Sequence, residues 1–199
     1  MKRERCLVVV CVAVMVATAG QVHAALIVTA FESGGNVVFS GGGTVSLGAL
    51  VVEASNVADS GVVQPAFGVF LMGDNPLDDA KTYKNTISGP NDFGPGASHV
   101  FADSNTGDYF GINALSPNLY LPNGFTTGGS LSGTSTYNGT TLNAIGLTEG
   151  TYVWSWGAGA LGAGDTLTLI VDANAVPEPY TSSLALASLC LAMSRRRAF

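Results

Sequence analysis

Thr151-Tyr152-Val153-Trp154-Ser155-Trp156 and, past a glycine-rich connection, Thr166-Leu167-Thr168-Leu169-Ile170-Val171 decide how this chain folds. Successive side chains of a strand point to opposite faces. Tyr152, Trp154 and Trp156 therefore share one side, with Thr151, Val153 and Ser155 on the other. Leu167, Leu169 and Val171 make a matching apolar row, opposite Thr166, Thr168 and Ile170. Gly157-Ala158-Gly159-Ala160-Leu161-Gly162-Ala163-Gly164 joins the two as a flexible connection suited to a long hairpin. A row of three aromatics could serve as a sugar-stacking platform, but paired aromatic strands more often anchor the core between two sheets.

The same texture extends outward. Short segments of strand character occupy residues 26–32, 36–39, 44–52, 67–72, 98–101, 109–112, 118–121 and 142–145. Ser33-Gly34-Gly35, Gly41-Gly42-Gly43, Gly94-Pro95-Gly96 and Asn138-Gly139 punctuate them as turns. Twenty-five of the 26 glycines lie between Ala25 and Val176, without the Gly-X-Y period of collagen. No window keeps a 3.6-residue apolar period over three turns without a glycine, so helix is incidental. The expected fold is all-β, an antiparallel β-sandwich or jelly-roll-like domain over residues 25–175.

Charge narrows the partners. The 199 residues carry 8 Lys+Arg and 14 Asp+Glu, and only 11% are charged, against about 25% in an average soluble domain. Lys2, Arg3, Arg5, Arg195, Arg196 and Arg197 stand at the ends, leaving Lys81 and Lys84 inside. Between Ala25 and Val176, twelve acids face those two lysines, a net charge of −10. Nucleic-acid binding needs clustered Lys/Arg and is excluded. Cys6, Cys11 and Cys190 all lie outside residues 25–175, so that domain has neither a disulfide framework nor thiolate metal sites.

Both ends read as addresses. Residues 1–24 form a secretory signal peptide: a basic start, an apolar run over residues 6–19, and Val22-His23-Ala24 before a cut between Ala24 and Ala25. That run is about fourteen residues, short for a spanning helix of about twenty. At the other end, Val176-Pro177-Glu178-Pro179 precedes a mostly apolar stretch, residues 180–194, and then Arg195-Arg196-Arg197. Pro177 and Pro179 keep the chain extended, and the arginines would remain cytoplasmic. A signal helix and a short apolar helix are thus expected to flank the domain.

This three-part tail, residues 176–199, resembles the PEP-CTERM sorting signal of Gram-negative bacteria. In that family an exosortase-type membrane enzyme is thought to recognise the signal and process the protein for the cell surface. Within the domain, Phe31-Glu32-Ser33-Gly34-Gly35-Asn36-Val37-Val38, Gly107-Asp108-Tyr109-Phe110-Gly111, Leu121-Pro122-Asn123-Gly124-Phe125 and the stretch from Leu147 to Gly157 resemble a recurrent group of PEP-CTERM surface proteins. That resemblance implies location and a β-rich exported domain; it carries no functional residues across.

Chemical motifs are sparse. Gly157-Ala158-Gly159-Ala160-Leu161-Gly162 matches G-x-G-x-x-G, but a dinucleotide site needs a helix next, and Asp165 opens another strand. His99 is the only histidine after residue 24. Asp103 and Ser104 lie near it in sequence, which is not triad geometry, and G-x-S-x-G is absent. Glu32, Glu53 and Glu149 fall in no recognisable motif. The best cation candidate is Asp103-Ser104-Asn105-Thr106-Gly107-Asp108, where Asp103, Asn105 and Asp108 would offer oxygen ligands to calcium, although the EF-hand template then asks for Glu where Ala114 stands. Asp74-Asn75-Pro76-Leu77-Asp78-Asp79 is a second acidic loop. Solvated Asp/Asn/Gly turns are the simpler explanation of both loops. Asn138-Gly139-Thr140 fits the glycosylation sequon and is read as a hairpin turn.

No catalytic constellation and no cofactor are implied, calcium being the one metal candidate. The expected protein is a non-enzymatic surface or extracellular-matrix component linked to exopolysaccharide or biofilm. Its expected partners are the secretion machinery, an exosortase-like processing enzyme and exopolysaccharide. The alternative is a carbohydrate-binding module stacking sugars on exposed aromatics such as Tyr109, Phe110, Tyr120 or Tyr137; a secreted hydrolase ranks below both.

Overall fold

The computed structural model describes residues 24–57, 61–75, 80–157 and 164–175. In chain order the strands are β1 (Ala25–Ser33), β2 (Asn36–Thr44), β3 (Val51–Val57), β4 (Val62–Gln64), β5 (Val69–Met72), β6 (Ala80–Lys84), β7 (Val100–Phe101), β8 (Ser104–Gly107), β9 (Phe110–Asn113), β10 (Asn118–Leu121), β11 (Ser130–Tyr137), β12 (Gly150–Trp156) and β13 (Asp165–Val171). They build a six-stranded sheet, β12-β13-β1-β2-β11-β8, and a seven-stranded sheet, β3-β6-β10-β9-β5-β4-β7. The all-β sandwich expected from the alternation is what forms. One pairing departs from a purely antiparallel plan: β1 lies parallel to β13, Leu26 opposite Leu167 and Ala30 opposite Val171.

The deciding hairpin forms as read. Trp156 pairs with Asp165 and Gly150 with Val171, and the inward sides of β12 and β13 are buried at Trp154, Trp156, Leu167, Leu169 and Val171. These side chains meet Phe70, Phe110, Ile112 and Leu119 of the opposite sheet in one core. Phe70 bridges the layers, with ring centroids 6.2 Å from Phe39 and 5.9 Å from Trp154. Each buried indole keeps its N–H partnered. Trp154 Nε1 donates to the Pro90 carbonyl at 2.9 Å and Trp156 Nε1 to the Ser46 carbonyl at 3.2 Å, as indoles placed in a core require.

Local chemistry explains the other elements. Gly34 (φ +59°) and Gly35 (φ +81°) close the β1–β2 hairpin as a two-residue turn, which needs positive φ at both positions. Gly41-Gly42-Gly43, expected as a turn, lies inside β2 instead. Gly41 faces Val28, where a Cβ would collide with the Ile27 carbonyl of β1. Residues 142–145, expected as a strand, form a one-turn helix, α1 (Leu142–Ile145). Thr141 Oγ1 accepts from the Ala144 N–H at 3.1 Å, Glu32 Oε1 accepts from the Leu142 N–H at 2.8 Å, and left-handed Gly146 ends the turn. Asn138-Gly139 is a turn, but it leads into α1 rather than closing a hairpin. Of the expected strand over residues 44–52, Thr44 ends β2, Val51 and Val52 open β3, and residues 45–50 between them are a loop pinned by buried Val45 and Leu50.

Strand β11 has a sequence of Ser, Thr and Gly that conceals its alternation. Ser130, Ser132, Thr134 and Thr136 face outward, and Leu131, Gly133, Ser135 and Tyr137 are buried. The outer face of the six-stranded sheet consequently bears an uncharged row in register across all six strands: Thr151, Ile170, Thr29, Ser40, Thr134 and Thr106.

Candidate functional site

The residues singled out for sorting, Val176, Pro177, Glu178, Pro179, Arg195, Arg196 and Arg197, lie outside the described residues, as do the leader up to residue 23 and both expected terminal helices. Ala24 and Ala25, at the expected cut, stand at the head of β1. The Ala24 N–H donates to Asp165 Oδ1 at 3.0 Å, and the Ala24 carbonyl accepts from the Thr166 N–H at 3.2 Å. Because β1 and β13 run parallel, β13 ends at the opposite end of the sheet from Ala24, with the Asp172 N–H donating to the Ala30 carbonyl at 3.0 Å.

The calcium candidates are not brought together as a cage. Residues 104–107 form β8 rather than a loop around an ion. Asp103 Oδ2 accepts from the Asn138 N–H at 2.7 Å, Asp108 Oδ2 from the Ser132 N–H at 2.9 Å, and Asn105 Oδ1 from the Ser135 hydroxyl. These oxygens fasten β8 to β11, in place of the convergent ligand set the spacing suggested. In the second acidic loop, the Asp74 N–H donates to the Gly107 carbonyl at 3.1 Å; Asp78 and Asp79 lie outside the described residues. Among the described residues no group of three or more His, Cys, Asp or Glu is placed to hold a metal ion.

The alternative aromatic platform is corrected as well. Tyr109, Phe110 and Tyr137 are buried, and half-buried Tyr120 packs edge-on to Tyr109 at 6.5 Å. None of the three buried rings can offer a face to a sugar. His99 is exposed and its ring lies 6.3 Å from that of Phe101, while the Asp103 carboxylate serves Asn138; the two do not form a dyad. Residues 158–163 of the glycine-rich motif lie outside the described residues, and the next described element is β13.

A different site emerges where three segments converge. Residues 65–68, 92–96 and 146–152 are laced by backbone bonds. The Phe93 N–H donates to the Pro65 carbonyl at 3.0 Å, Ala66 to Gly96 at 2.8 Å, Gly96 to Gly146 at 3.1 Å and Thr148 to Phe93 at 3.0 Å. Gly94 (φ +150°) is required here, because a Cβ would strike the Gly146 carbonyl. Over this floor lies an open groove of about 480 Å³, lined by Ala66, Asp92, Gly94, Pro95, Thr148 and Tyr152. Tyr152 is the half-buried member of the row whose other two aromatics are sealed in the core. Its hydroxyl donates to the Thr148 carbonyl at 3.0 Å and its ring meets Phe93 edge-on at 5.9 Å, which fixes its orientation. Burial, and then the neighbouring Asp92 carboxylate, push the Tyr152 hydroxyl above the ordinary tyrosine range, so it stays a neutral donor. A second recess of about 170 Å³ lies over Trp154, lined also by Ile87, Ser88, Asn91 and Pro117.

Asp92 and Asp74 stand apart among the described carboxylates. Glu32, Asp103, Asp108, Glu149, Asp165 and Asp172 each accept a bond from a backbone N–H, and Glu53 pairs with Lys84 at 2.9 Å. Asp92 is exposed at the groove and accepts no hydrogen bond from another described residue. Alternation along β12 marks Tyr152 through its row, but nothing local in the sequence marks Asp92 or the loop that carries it.

No known protein family, curated protein or solved structure matches this chain.

Proposed function

We propose that this chain is an exported surface or extracellular-matrix protein that is sorted by its C-terminal PEP-CTERM-like signal and acts without catalysis, in association with exopolysaccharide. The observation that carries the reading is the outer face of the six-stranded sheet. Thr151, Ile170, Thr29, Ser40, Thr134 and Thr106 continue one uncharged, mostly hydroxyl-bearing row from edge to edge. A broad neutral face of this kind can exchange hydrogen bonds with a hydrated neutral matrix without the desolvation cost that charged groups bring. The order Pro177-Glu178-Pro179, apolar stretch, Arg195-Arg196-Arg197 supports the destination.

Fractionation of the host's extracellular matrix tests this reading. The chain is expected in the polysaccharide fraction after cells are removed. A strain lacking it is expected to make glycan of unchanged chain length that is less firmly retained. A chain confined to the periplasm, or a change in glycan chain length of the kind a hydrolase produces, contradicts the proposal.

A further inference from the structure

Resting on the matrix reading above, we propose that the groove between Asp92 and Tyr152 is a binding subsite for a neutral polysaccharide, with the Tyr152 ring as its apolar wall and the Asp92 carboxylate as its hydroxyl acceptor. The volume, about 480 Å³, lies in the range of small-ligand sites, which combine apolar walls with a few placed polar groups. A sugar ring presents an apolar C–H face and a rim of hydroxyls. The first suits an aromatic ring, and the second suits an acceptor with free lone pairs. Asp92 is the described groove residue with that acceptor capacity, since the other carboxylates named above, Asp74 apart, are engaged in holding strands and caps.

The site is built before any ligand arrives. Tyr152 is held by Thr148 and Phe93, and the floor by the bonds joining Pro65, Phe93, Gly96 and Gly146. A wall that does not reorganise reduces the ordering cost of binding. Charge selects the class of glycan. Asp92 sits in a domain whose acids outnumber its bases by ten, which disfavours polyuronates and sulfated chains.

Affinity electrophoresis of the full chain in detergent, through gels holding laminarin, glucomannan or hydroxyethylcellulose, with alginate as the anionic comparison, tests the proposal. At least one neutral polymer should retard the wild type, and alginate should not. Tyr152→Ala and Asp92→Ala should each weaken retardation about tenfold or more, as loss of a central contact does. Asp92 is exposed, so its variant should melt as wild type does; Tyr152→Phe, which keeps the ring, covers the case in which Tyr152→Ala fails to fold, and should retain binding. Retardation that is equal in wild type and Asp92→Ala overturns the groove while leaving the matrix reading intact. No retardation by any neutral polymer, or equal retardation by alginate, overturns the proposed ligand class; surface delivery is tested separately through Glu178.

Discussion

Trp154 shows how one side chain can join the two sheets and a loop. Its ring packs against Phe70 and Phe93, and its N–H satisfies the Pro90 carbonyl in the loop leading to the groove. Trp154→Phe removes that bond and leaves a void beside Phe93. Large-to-small changes and orphaned buried carbonyls together set an expected loss of about 2 kcal/mol, read from urea unfolding. Val153→Thr, one residue away on the outer face and 44% exposed, should change stability by less than about 0.5 kcal/mol. Equal losses at the two positions would contradict the assignment of faces. Among residues, legibility follows the strength of the local signal. Trp154 and Trp156 declare themselves through alternation, whereas Asp92 carries none, because its role comes from Tyr152, distant in sequence.

At the scale of elements, apolar alternation alone makes β12 and β13 legible in the sequence, and the two-glycine turn does the same for β1 and β2. The misses have physical causes. Strand β11 hides its period because the residues it buries include Gly133 and Ser135. Gly41-Gly42-Gly43 looks like a turn, yet it serves close strand approach. Leu142-Asn143-Ala144-Ile145 is apolar enough for a strand, but the Thr141 cap and Gly146 decide for a helical turn. That cap gives a second test. Thr141→Ala should cost about 1 kcal/mol, and Thr141→Ser should recover most of it; a neutral Thr141→Ala would mean that the Glu32 bond and burial of Leu142 and Ile145 hold α1 unaided. Strand order, including the parallel β1–β13 pair, arises from long-range packing that no local pattern records.

For the whole molecule, burial pushes the Tyr137 hydroxyl well above its ordinary value of 10.0, and burial raises Tyr83 and Tyr152 too. The unfolded chain loses these protons first. Their contribution is therefore fully present below about pH 10 and is lost as pH rises beyond it. Thermal midpoints should decline above pH 10, and Tyr137→Phe should make the decline shallower; an unchanged slope would contradict the burial of that ring's hydroxyl. Delivery to the cell surface hinges on the proposed recognition of Glu178. With a tag at the extreme C-terminus and surface labelling of the domain in the native host, wild type should lose the tag and become surface-labelled. Glu178→Ala should keep its tag in the membrane fraction with the domain still folded, because residue 178 lies beyond β13. If Glu178→Ala protein reaches the surface with its tail cleaved as in wild type, the sorting account is wrong.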